Sequence, residues 1–381
     1  MVSPAKPAVY SSIGNTLLRH ELDTATLTLV PRGRLTLPEN GQYAWPHPQQ
    51  RVLYVACSDG APGSRGHRHC ACAVRIDQDR EPALHGPVIA LPGRPVHITV
   101  DAAGRHALIA YNDPSALTVH RIAADGTLGE LVPQRTPVDA GIFAHQTRIL
   151  PGNRTALLVT RGNDATDRRP EDPGSVRVFD YDDGQLTPRT IIAPDGGYGY
   201  GPRHIDHAPS GRALYVALER QNRLHVHDIT AAGIAPAPRH VVATLQQTES
   251  VQPQQRAGTL HVHPNGRTLY LANRADGLAL RNGRPVFAGG ENNIAVYALD
   301  GAAPRLIQHV DTHGFVPRTF ALDATGQVMI VANSRALTRA DGSRTPTSLV
   351  VFRIRDDGTL EHVRTYPIST DDDTLFWMGL P

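Results

Sequence analysis

The chain has 381 residues, a formal net charge of only +2, 34 glycines, 31 prolines and 5% aromatic residues. So even a balance argues against the concentrated basic face that nucleic acid or an acidic membrane surface demands, and no stretch approaches the roughly 18 apolar residues needed to cross a bilayer. Three cysteines, Cys57, Cys70 and Cys72, are too few for a disulfide framework.

The first predicted strands are AVYSSIG, NTLLRHELD and TLTLVPRG. They match the second, third and fourth strands (B, C and D) of a four-stranded unit whose first strand, A, is missing. From residue 41 a fuller phrase recurs six times: a strand, a glycine turn, then an apolar strand that runs into a polar residue. The copies are QRVLYVACS, GRHALIAYN, NRTALLVTR, GRALYVALE, GRTLYLANR and GQVMIVANS. They close on Ser58, Asn112, Arg161, Glu219, Arg274 and Ser334, at intervals of 49 to 60 residues. The clearest unit reads HIDHAP, the turn SG, RALYVAL, NRLHVHDI and APRHVVATL. Six units extend over about residues 41–370, and the last strand, TLFWMGL, supplies the strand A missing at the start. One four-stranded sheet cannot bury both its faces, so repeats of this length stack radially. The predicted fold is all-β: a seven-bladed β-propeller, one blade closed by strands from both termini, forming a single domain over 1–381.

Strands A and B are antiparallel neighbours, so the start of A and the end of B share one rim. At the A starts stand Gln42, Val96, His145, Arg203, Gly258 and Arg318; at the B ends stand the six closing residues and, from the split blade, Gly14. Strand A is innermost, which places these positions around the mouth of the central channel. Four of the loops that leave this rim between B and C are long, which independently selects it as the binding face.

Arg161, Arg203, Arg274 and Arg318 against Glu219 make a locally positive funnel, and the guanidinium fork suits carboxylate and phosphate. His145, the one histidine at a strand A start, is placed to accept a proton near neutral pH. Asn112 and His97 join Arg161 and Arg318 as substrate-binding candidates. His97 lies one residue beyond the Val96 position, so it faces the channel only where the register slips. His67, His69, Cys70 and Cys72 are all ligand types, but their spacing makes no recognised metal site, and a polar loop running into a strand is expected. GxGxxG, P-loop, GxSxG and HExxH signatures are absent, and the glycine loop GYGYG lacks the helix start and lysine of a phosphate cradle.

The segments PRHIDHAPSGRALYVALE, GTLHVHPNGRTLYLANR and AHQTRILPGNR resemble the lactonase family of seven-bladed propellers, which spans a 6-phosphogluconolactonase type and a fungal 3-carboxy-cis,cis-muconate lactonizing enzyme. The resemblance covers nearly the whole chain. It implies catalytic roles for the residues falling at the family's motif, His145, Arg203, Glu219 and Arg274. The chain departs from the pattern at Phe143, where a second histidine is often found, and in the turn PGNR.

The resulting expectation is hydrolysis of a small anionic lactone without metal or other cofactor. Arg203 and Arg274 grip the acid group or the carbonyl oxygen, His145 activates water, and Glu219 steers sugar hydroxyls or the imidazole. A cyclizing isomerase of the carboxymuconate type needs the same groups, and a propeller that only binds a ligand or protein is the third reading. A cytoplasmic monomer or small homo-oligomer without nucleic-acid or membrane partners completes the expectation.

Overall fold

The recurring B phrases are apolar without interruption because each B strand is packed on both faces. In the computed structural model, which describes residues 7–78, 80–249, 251–301, 303–368 and 374–381, Leu53, Val55 and Cys57 face one neighbouring blade while Val52, Tyr54 and Ala56 face the other. The same alternation repeats around the ring. It generates seven apolar clusters, one at each junction between adjacent blades. A strand buried on both sides reads as a continuous apolar run for this reason.

Blade 1 orders its strands as Gly41–Pro46, Val52–Ser58, His69–Arg75 and Ala83–Ala90 from the centre outwards. The A and B strands of the next five blades are Pro95–Val100 and His106–Asn112, Ala144–Ile149 and Thr155–Thr160, Pro202–His207 and Ala213–Leu218, Arg256–Val262 and Thr268–Arg274, and Phe315–Leu322 and Val328–Arg335. In the seventh blade the C-terminal strand Leu375–Gly379 pairs with Ala8–Ile13, which continues outwards to Thr16–Asp23 and Thr28–Thr36. Two ends of the chain thus complete one sheet, as expected from the sequence, and the edge of Ala8–Ile13 is paired.

Neighbouring blades are clasped by repeated polar contacts at fixed repeat positions. Tyr54 and Tyr270 donate to the carbonyl oxygens of Gly126 and Gly358 in the next blade, both at 2.9 Å. His47 and His263 meet the carbonyls of Gly104 and Gly326 at 3.1 and 2.8 Å. A Cβ on Gly104 would lie 2.4 Å from the His47 ring, so glycine is required there by close approach as well as by its positive φ of 69°.

Near its start, every A strand slips by one residue against its B partner. The residues left unpaired are Gln42, Val96, His145, Arg203, the pair Gly258 and Thr259, Arg318 and, in the closing strand, Phe376. A β-bulge re-aims the side chain it leaves unpaired. Seven bulges in register therefore turn seven side-chain positions towards the mouth of the ring.

Candidate active site

The rim bearing the bulges encloses a cavity of about 510 Å³. Strand A starts contribute Val96, His145, Arg203, Arg318 and Phe376, and strand B ends contribute Asn112, Arg161, Glu219, Arg274 and Ser334. Long loops of blades 1 and 5 add Ala61–Arg65 and Asp276, and the end of Val328–Arg335 adds Arg335. Seven of the eight candidates named from the sequence thus share one cavity.

His97 does not. The bulge falls on Val96, so Val96 takes the cavity position, and His97 is fully buried with its ring 4.1 Å from that of Tyr43 and 5.8 Å from that of Trp45. The register does slip where the sequence left that open, but the slip does not carry the imidazole to the cavity wall. The four residues with metal-ligand chemistry also separate. His69 Nδ1 lies 2.8 Å from Ser58 Oγ, whereas Cys70 and Cys72 are buried with Cys57 as free thiols. Among the described residues no group of three or more His, Cys, Asp or Glu side chains could hold a metal ion.

Sequence reasoning missed a second tier of the wall: Arg94, Phe143, Arg256, Val316 and Thr374. Each stands two residues before a bulged position, and side chains two apart on an extended chain point the same way. Counting two further back from each A start would have found them. Phe143, with φ of 59°, places its ring 4.1 Å from the Arg161 guanidinium. This cation–π contact occupies the position where the family often carries a histidine.

Glu219, 1% exposed, is the hub of the site. Its Oε1 accepts from Arg203 at 2.5 Å and also from Arg274, and its Oε2 accepts from Arg161 at 2.7 Å. Burial raises the carboxyl pKa, but Arg203, Arg274 and Arg161 outweigh burial and hold it well below the usual carboxylate range. An anion so fixed is a counterion and a positioning group, and a very weak base. Burial lowers Arg203 to about 9, with Arg274 and Arg161 pushing the same way and Glu219 opposing.

His145 is driven well below its ordinary value by burial first, then by Arg203 and by His204, whose ring stands perpendicular to it at 5.1 Å. Its imidazole is therefore neutral at pH 7 and able to take a proton. Among the described residues its buried Nδ1 has no hydrogen-bond partner, so no carboxylate among them orients the ring in the manner of a catalytic triad. Beneath lies a second buried acid, Asp206, which takes Arg148 at 3.0 Å and faces His261 at 3.7 Å.

A seven-bladed ring with an arginine-walled cavity at its mouth and a histidine in the wall is the architecture of a propeller with its site on one face of the ring. A family model described as "Lactonase, 7-bladed beta-propeller" matches residues 8–338, and the chain belongs to that family. A 6-phosphogluconolactonase of Pectobacterium carotovorum is 28% identical over 291 residues, covering 76% of each protein. A 6-phosphogluconolactonase of Yersinia pseudotuberculosis is 26% identical over 281 residues, 73% of this chain and 72% of that one. Among solved structures, a Lactobacillus plantarum protein superposes with a TM-score of 0.72 at 22% identity, covering 97% of this chain and 98% of that one. The Pseudomonas aeruginosa periplasmic gluconolactonase gives 0.70 at 20% identity over 95% and 97%. At these identities the two structures share the fold.

Proposed function

We propose that the protein is a hydrolase that opens the ring of a small anionic sugar lactone, in the manner its curated relatives' names describe. The observation that carries this reading is His145 in the same cavity wall as guanidinium groups anchored by Glu219. Water attacks the lactone carbonyl carbon while His145 takes its proton. Negative charge developing on the carbonyl oxygen faces Arg203 and Arg274, fixed dipole and charge donors in a largely water-excluded wall. The ring C–O bond then breaks, and the departing alkoxide recovers the proton from His145 as the hydroxyl of the open-chain acid. Glu219 stays ionised throughout and holds the arginines in place.

No step draws on a metal or other cofactor. The cytoplasm is our proposed compartment, three cysteines being too few for the disulfide framework common in small secreted proteins.

Acid release from sugar lactones, phosphorylated sugar lactones and carboxylated butenolides, followed with a pH indicator, tests the reaction. The wild-type protein is expected to open at least one phosphorylated or carboxylated lactone, and His145→Ala to lower kcat by about 10²–10⁴-fold, the usual worth of a positioned general base. Equal rates in both proteins across the panel, or turnover only of open-chain carboxymuconates, would overturn the hydrolase reading.

A further inference from the structure

The arginines around the cavity differ in their counterions. Arg161, Arg203 and Arg274 share Glu219. At the rim Arg65 forks onto Asp113 with both contacts at 2.7 Å, and Arg335 meets Asp276 at 3.3 Å. Arg256 lies 3.9 Å from Asp164. Arg94 and Arg318, by contrast, meet no carboxylate among the described residues. The Nε of Arg94, a residue 5% exposed, donates to Gln42 Oε1 at 3.0 Å, and the Nε of Arg318 donates to the Phe376 carbonyl oxygen at 3.1 Å.

These two guanidinium groups share one platform. The Arg94 and Arg318 carbons lie 5.9 and 3.9 Å from the centroid of the Phe376 ring. Burial lowers Arg94 to about 10 and Arg318 well below the ordinary arginine value, and Arg94 is among the cations that repel Arg318. Both groups stay charged all the same. Two partly desolvated cations that form no ion pair of their own carry an electrostatic cost that an incoming anion relieves.

The pair comes from other blades than the catalytic groups, although Arg318 also feels Arg203, Arg274 and Glu219. Arg318 belongs to blade 6, Phe376 to the closing blade and Arg94 to the entry of blade 2, whereas His145, Arg203, Glu219 and Arg274 come from blades 3, 4 and 5. We propose that Arg94 and Arg318, flanking Phe376, form a subsite for a phosphate monoester carried by the substrate at the end remote from its lactone ring. The assignment deepens the hydrolase reading and rests on it for the identity of the ring. Phosphate is favoured over a single carboxylate because two unit charges without an ion-pair partner call for a dianion, and a phosphate monoester carries about −1.5 to −2 near pH 7.

Calorimetric titration of the full-length protein with inorganic phosphate, and separately with succinate, tests the subsite without requiring turnover. Arg94→Gln should weaken phosphate binding by about tenfold or more, the worth of a charged hydrogen bond. Arg94→Lys, which keeps charge but loses the fork, should fall between that variant and wild type. Arg239→Gln, which removes a surface partner of Asp228 on blade 4, should bind as wild type does. Thermal melts establish that each variant is folded, and Arg94→Lys carries the test if Arg94→Gln is not.

Phosphate bound equally well by wild type and the Arg94 variants, or no phosphate bound by wild type, would overturn the subsite. So would succinate binding more tightly than phosphate with the same dependence on Arg94, which would reassign the pair to dicarboxylates. Arg94-dependent phosphate binding without turnover of any lactone would leave the subsite standing and remove the hydrolase reading. Lactone turnover with phosphate binding indifferent to Arg94 would do the reverse.

Discussion

His145 and Glu219 show how one cavity divides acid–base duties between two side chains by environment alone. Three guanidinium partners lock Glu219 as an anion, so it cannot exchange protons near neutral pH. His145 feels burial and the neighbouring Arg203, His204 and Arg318 with Glu219 in opposition, and so remains unprotonated well below its ordinary value. A base works in its unprotonated form, and a lowered pKa carries that form towards acid. The acid limb of kcat/KM, which reports the free enzyme, should therefore lie clearly below pH 6.5 once the substrate phosphate's own ionisation near pH 6 is corrected for. A pH–rate profile from 4 to 8 checks this, and a limb centred at or above 6.5 would remove His145 from the role of base. Its residue type and repeat position were legible in the sequence. The depressed pKa was not, because it arises first from burial in the assembled ring and then from Arg203 and His204 brought in by the next blade.

At the scale of the strand, the bulges decide which residues reach the cavity. Counting repeat positions found Arg203 and Arg318 because every blade bulges at the same place. It misjudged His97 because a neighbour, Val96, took the turned-out position. The hairpin Leu278–Arg281 with Arg284–Phe287 lies within one of the long loops between B and C, and its Asn282–Gly283 turn, with φ of 50° and 74°, carries the Asn-Gly signal of a tight hairpin. Blade 5 is the exception to the pattern of large bulged residues, with Gly258 at the position. A Cβ there would stand 3.1 Å from the Ala272 carbonyl oxygen and 3.6 Å from Cδ of Arg274. The bare position leaves room for Arg274 to lie across it towards Glu219. Gly258→Val should therefore overpack the bulge, costing about 1–3 kcal/mol of stability, and displace Arg274 enough to lower kcat/KM by about tenfold or more. Urea unfolding read beside steady-state kinetics separates the two effects. A variant destabilised but fully active would show that Arg274 does not depend on the empty position.

The molecule as a whole is a ring whose closure and whose site use the same strand. Leu375–Gly379 is the innermost strand of the split blade, and Leu375, Phe376, Trp377 and Met378 are all buried. Leu375 and Met378 join the cluster shared with blade 6, and Trp377 joins the one shared with blade 1, so the strand ties both junctions of its blade. The sequence made this strand legible because a lone apolar run at one end matched a unit lacking its first strand at the other. What it could not reveal is that the bulged Phe376 then supplies the platform beneath Arg94 and Arg318. Burying a large apolar side chain contributes about 1.5–3 kcal/mol, so four of them amount to much of the ~5–15 kcal/mol that stabilises a typical protein. Their loss would also bare the edge of Ala8–Ile13 to pairing with other chains. A chain ending at Thr374 is accordingly expected to lose cooperative thermal unfolding and to aggregate, and a peptide spanning residues 374–381 supplied in trans should recover part of the cooperative transition. A melting temperature in the shortened chain within a degree or two of the full-length value, with no response to the peptide, would mean that the ring holds without its C-terminal strand.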